Sequence, residues 1–191
     1  MQIDITLTGL KPMLQHNIRL ANPLDPYTQK LKEFTGKRKK TDEDLAEIMW
    51  WEARGSAYET TEGFLGMPCD NVWRSLYDAA TAFKQGANLK RALIPDTDIE
   101  PLLVAGEKVY VDEFLKAGNI DTRAVQVSRA RTMRSRPMVD TPWSVTHRFE
   151  LLSDIIDVRE LDPITERAGR VVGIGDYRPR FGTFTATVTE V

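Results

Sequence analysis

Cysteine and histidine are nearly missing from this sequence. There is one cysteine, Cys69, and two histidines, His16 and His147, far apart in the chain. A lone thiol excludes an internal disulfide and fits a reducing compartment. Cys69 stands just before an expected helix with no base predicted nearby, so it reads as a buried structural thiol rather than a nucleophile. Two separated histidines leave no histidine-rich metal site. No apolar run is long enough to cross a bilayer, and the N-terminus alternates like a strand where a signal peptide would carry a continuous apolar stretch. GxSxG, CxxC, HExxH and Walker A patterns are all missing, as are internal repeats and low-complexity tracts. Nor is there an excess of positive charge: 26 Lys and Arg against 28 Asp and Glu give a net charge of −2. Any nucleic-acid contact must therefore be a local patch. These absences lead us to expect a cytoplasmic, non-catalytic protein with no cofactor, no bound metal and no membrane partner.

At 191 residues the chain suits a single domain, 1–191. Ile3, Ile5 and Leu7 alternate with Asp4, Thr6 and Thr8, which predicts a half-buried strand ended by Gly9 and Pro12. Met13 to Asn17 then reads as a loop, with His16 and Asn17 as candidate ligand contacts. A helical insertion is expected over about 24–55. Asp25-Pro26 is a cap-plus-proline start, Tyr27, Leu31 and Phe34 make one face, and Gly36 is a stop. Lys37-Arg38-Lys39-Lys40 is a short basic run, and Thr41 with Asp44 forms a capping box for a second helix ending near Glu52. Another helix follows Pro68, with Val72, Trp73, Leu76, Tyr77, Ala80 and Phe83 as its buried stripe and Gly86 closing it. Residues 117–122 read as loop.

Two stretches carry the most chemistry. In Leu161–Val188, Asp162 and Pro163 predict a helix start, and Ile164, Ala168, Val171 and Val172 its apolar face. The loop Gly173-Ile-Gly-Asp-Tyr-Arg-Pro-Arg-Phe-Gly182 and an alternating strand follow. Gly173, Gly175 and Gly182 let the backbone come close to a partner, arginines take phosphate bidentately, and aromatics stack on bases. The loop follows a helix C-terminus, so it is no P-loop; phosphate contacts would come from Arg178, Arg180 or loop amides. In the second stretch, Arg123, Arg129, Arg131, Arg134 and Arg136 place five guanidiniums within fourteen residues with no acid among them. Trp143, Val145, His147, Phe149 and Leu151 return as an alternating strand. We read 123–151 as one long hairpin arm, with His147 as a core histidine. The bland reading of its arginines is a solvated arm paired with acids from elsewhere in the chain.

The order strand, helical region, Met67-Pro-Cys-Asp-Asn-Val-Trp-Arg-Ser-Leu76 helix, hairpin, helix, glycine-rich loop and final strand resembles the RAMP superfamily, the RRM-like backbone proteins of CRISPR effector complexes. Gly173–Phe184 matches that family's C-terminal glycine-rich loop in shape. It departs from it where Thr183 follows Gly182, and Cys69 follows Pro68 where the family has glycine. Leu14–Asn17 and Gly36–Asp44 also resemble segments of an uncharacterised group of phage proteins. The resemblance implies an RRM-like (ferredoxin-like) α+β fold with an antiparallel sheet and helices on one face. It further implies a self-associating, non-catalytic protein that coats single-stranded nucleic acid, RNA before DNA, in the host-cell cytoplasm if phage-encoded.

The expected nucleic-acid contacts are Arg129, Arg131, Arg134 and Arg136 to phosphates, and Tyr177, Arg178, Arg180 and Phe181 along the strand path. Lys37, Arg38, His16 and Asn17 are the outlying candidates. The alternative is an assembly module whose basic hairpin docks on an acidic protein partner.

Overall fold

The computed structural model describes residues 1–127 and 130–191. In chain order its strands are β1 (Gln2–Gly9), β2 (Met13–Leu14), β3 (Gly66–Pro68), β4 (Leu93–Pro95), β5 (Ile99–Pro101), β6 (Leu103–Val104), β7 (Glu107–Lys108), β8 (Ile120–Val127), β9 (Ala130–Val139), β10 (Trp143–Leu151) and β11 (Phe184–Glu190). The helices are α1 (Pro26–Thr35), α2 (Asp42–Ser56), α3 (Cys69–Thr81), α4 (Gly86–Ala92), α5 (Val111–Lys116) and α6 (Leu161–Arg167). The fold is α+β and its main sheet is antiparallel.

Period-two patterning builds that sheet. Ile3, Ile5 and Leu7 of β1 and Trp143, Val145, His147, Phe149 and Leu151 of β10 are all buried. In the register of the pair, Ile3 faces Phe149, Ile5 faces His147 and Leu7 faces Val145. A slip of one residue would turn one of these rows to the polar face, which fixes the register. Each apolar side chain so buried contributes roughly 1.5–3 kcal/mol. The other face is polar: the Thr6 and Thr146 hydroxyls lie 2.8 Å apart, and Arg148 holds its cross-strand partner Asp4 through bonds of 2.7 and 2.9 Å.

β11 pairs with the free edge of β1, and β4 and β6 share the far edge of β10. β4 thus lies parallel to β1, and β11 parallel to β10. Such relations need crossover connections, which α3 with α4 and then α6 supply. α3 buries Val72, Leu76, Ala79 and Ala80, with Trp73 and Tyr77 stacked at 5.4 Å on its flank. It stops at Thr81, short of the expected Gly86. Lys84 adopts φ +60°, and Gly86 opens α4 instead. α6 begins at Leu161, ahead of the expected cap Asp162, because a 3-10 turn capped by Asp157 runs straight into it.

The segment 24–55, expected as a helical insertion, holds a pair of helices. Asp25 accepts from the Tyr27 amide, Gly36 ends α1, and the Thr41–Asp44 capping box opens α2, which continues to Ser56. α2 lies against β9. Two expectations are corrected here. Met13–Leu14 is a strand, β2, pairing Met13 with Val139 and Leu14 with Met138. The hairpin is 120–139 and not 123–151: β8 pairs β9 from Ile120–Pro137 to Val127–Ala130, while β10 belongs to the main sheet. Burial decides this, because five inward side chains on β10 need a covered face, which the helices of the shared core provide on the main sheet. Among the described residues no helix is long and apolar enough to cross a membrane.

Candidate functional site

Three stretches distant in sequence meet at the base of the β8–β9 hairpin. β2 is the hub. On one side it pairs with β9; on the other the Asp176 amide donates to the Leu14 carbonyl at 2.7 Å. The glycine-rich loop closes on itself through Ile174 N to Gly182 O at 2.8 Å and is pinned by Gly182 N to Pro12 O at 2.8 Å. Gly182 has φ +68°, and a Cβ there would fall 1.8 Å from the Ile174 carbonyl. Gly175 has φ +77°, and its Cβ would fall 2.5 Å from the Leu14 carbonyl. Both closures therefore require glycine. The result is a cleft of about 640 Å³ lined by His16, Arg131, Arg134, Arg136, Asp176 and Tyr177, with residues 124–126 of β8 along one wall.

The arginines at the hairpin base are largely answered by acids, two from outside the hairpin and one, for Arg123, from β8 itself. Glu52 of α2 accepts from Arg134 Nη1 at 3.1 Å and from the Ser135 amide at 2.8 Å. Asp176 Oδ2 accepts from Arg136 Nη1, and Arg123 is clasped by Asp121 through two hydrogen bonds. Three cleft guanidiniums thus face two carboxylates. Arg131 is exposed, with no acidic partner among the described residues. Arg136 is only 2% exposed, and its Nε and Nη2 are buried without a hydrogen-bond partner, as is His16 Nδ1. Burial is the main cause that holds the His16 imidazole below its ordinary pKa; Asp176 and Glu52 oppose the shift, and Arg134 and Arg136 reinforce it.

An aromatic rim adjoins these charges. Tyr177 is 45% exposed and adopts φ +60°, a conformation costly for a bulky side chain and typical of over-determined functional turns. Phe181 lies 6.1 Å from it, the Arg123 guanidinium sits 4.6 Å over Phe181, and Arg180 lies 6.0 Å over Tyr177.

Of the expected contacts, Arg131, Arg134, Arg136, His16 and Tyr177 line the cleft, and Phe181 and Arg180 flank it. Arg129 lies outside the described residues. Arg178 does not join them: it turns to Gly173 O and to Asp78 of α3, each at 3.5 Å. Asn17 is structural, accepting from the Arg19 amide as the cap of a 3-10 turn. Lys37 pairs with Asp44 at the start of α2, with Arg38 beside it; Glu52, which reaches the cleft, is about 12 Å further along that helix. Sequence reading missed Glu52, Asp121, Asp176 and the stacking role of Arg123. Asp176, inside the glycine loop, was the one of these with a local signal.

Cys69 is buried, and desolvation with its acidic surroundings pushes its thiol up to about 12. Among the described residues no cluster of three or more His, Cys, Asp and Glu could hold a metal ion. No protein-family model matches the chain, and no curated protein matches it.

Proposed function

We propose that this protein is a non-catalytic binder of single-stranded nucleic acid and that the cleft between the hairpin and the glycine-rich loop is its site. The observation that carries the reading is the convergence of Arg131, Arg134 and Arg136 with an exposed, conformationally strained Tyr177 in one cleft. Guanidiniums take phosphates and an aromatic ring takes a base, which is the pairing that single-strand recognition uses. Support for an RRM-like, RAMP-related architecture comes from the order β11-β1-β10-β4 with two helical crossovers, the arrangement of a ferredoxin-like sheet. Self-association along a strand belongs to the same reading.

Fluorescence anisotropy with labelled single-stranded RNA and DNA at two salt concentrations tests it. With the acids answering most of the arginines, about two phosphates are engaged, so log K falls against log salt with a slope of about −1.4. Tyr177→Ala weakens binding by about tenfold. Absence of binding at low salt overturns the reading.

A further inference from the structure

We infer that the cleft is a phosphomonoester site, which takes the terminal phosphate of a nucleotide or of a strand end on Arg136 and the attached base on Tyr177. This rests on the nucleic-acid reading above and narrows it. Arg136 lines the cleft and is itself buried, and Asp176 takes only its Nη1. The unpaired Nε and Nη2 form the fork of the guanidinium, the edge that matches two oxygens of one phosphate. A buried guanidinium edge without a partner is costly, and an anion relieves that cost. The contrast is Arg54, also buried, whose Nε and Nη2 edge is held by Asp112 at 2.6 Å and Glu59 at 2.7 Å, leaving only Nη1 without a partner.

The charge pattern points to one dense anion rather than a long track. Arg134 is answered by Glu52, Arg136 in part by Asp176, and Arg123 by Asp121. A phosphomonoester carries close to two negative charges at neutral pH, where a backbone diester carries one. His16 Nδ1, unpaired beside the same cleft, adds a second polar contact. Asp176, whose side chain is 36% exposed, already holds Arg136 and so competes with the incoming phosphate. The cleft volume of about 640 Å³ falls within the ordinary range for small-ligand sites.

The test is an anisotropy titration of one oligonucleotide labelled at one end and carrying either a phosphate or a hydroxyl at the other, in both 5′ and 3′ polarities, with AMP as unlabelled competitor. One phosphorylated end is expected to bind about tenfold or more tightly than its hydroxyl counterpart, and AMP to displace it. Arg136→Lys, which keeps the charge and loses the fork, should abolish that preference. Asp176→Asn, which removes the competing carboxylate, should strengthen it, and this variant serves should Arg136→Lys not fold. Equal binding of phosphate and hydroxyl ends overturns the monoester site and leaves the strand-binding reading standing. AMP binding without oligonucleotide binding keeps the site, assigns it to free nucleotides and removes the strand reading. Binding of neither removes both.

Discussion

In the main sheet, the inward positions of β1 and β10 are apolar apart from His147 and include Ile3, Ile5, Leu7, Val145 and Phe149, all part of one core. At the base of the β8–β9 hairpin the buried polar positions are Ser135 and Arg136, and what they meet is Glu52 and Asp176. The first kind of burial is non-directional and spread over many contacts, so it tolerates error. The second depends on single hydrogen bonds between charges, where losing one partner strands the other. The sheet is built for stability. The hairpin base holds polar groups in place at a cost in stability, and one guanidinium edge there is left unanswered.

The sharpest way to separate the two regions is to damage one and read the other. Phe149→Ala should cost about 3–5 kcal/mol in urea unfolding, while ligand affinity measured under folding conditions stays within twofold. A matching loss of affinity would show that the two regions are one energetic unit. His147 probes the same core by pH. Burial lowers its pKa to about 4 against an ordinary value near 6.5. The unfolded chain therefore takes up the proton first as pH falls. Its stabilising contribution is fully present above pH 6.5 and is lost as pH drops from there toward 4, on the order of 3 kcal/mol in total. His147→Leu should flatten that part of the stability–pH curve; an unchanged slope assigns the loss to other groups.

At the hairpin, Glu52→Gln leaves Arg134 without its carboxylate and should cost about 2 kcal/mol by thermal or urea unfolding, with the apparent positive charge of the cleft raised. Anion affinity should then rise as stability falls, the opposite of what a purely structural acid would give. The smallest effect is expected at Arg131, which is exposed: Arg131→Ala should leave stability within about 0.5 kcal/mol and make the salt slope of binding shallower by about 0.7. A slope that does not move would take Arg131 out of the phosphate contacts.

Local pattern was enough for much of the fold. The alternation of Ile3, Ile5 and Leu7 gave β1, that of Trp143 to Leu151 gave β10, and the Asp25-Pro26 and Thr41–Asp44 starts gave α1 and α2, because each signal is carried within one element. The hairpin differs from its expectation for the same reason: adjacency in sequence favours pairing β9 with β10, and only the need to cover five inward side chains sends β10 to the main sheet. β2 was missed because two residues carry no period.

The sequence by itself determined which residue types would be available: a cluster of arginines, a glycine–aromatic loop, and an overall net charge of −2 that confines any positive surface to a local patch. The tertiary structure decided which of them meet. It brought Arg136, His16 and Tyr177 into one cleft through β2, turned Arg178 to α3, kept Lys37 at the far end of α2, and supplied Glu52 and Asp176 from 83 and 40 residues away. The physical reason is that ion pairing depends on distance in space and burial on the whole surround, and neither quantity is written in the spacing of residues along the chain.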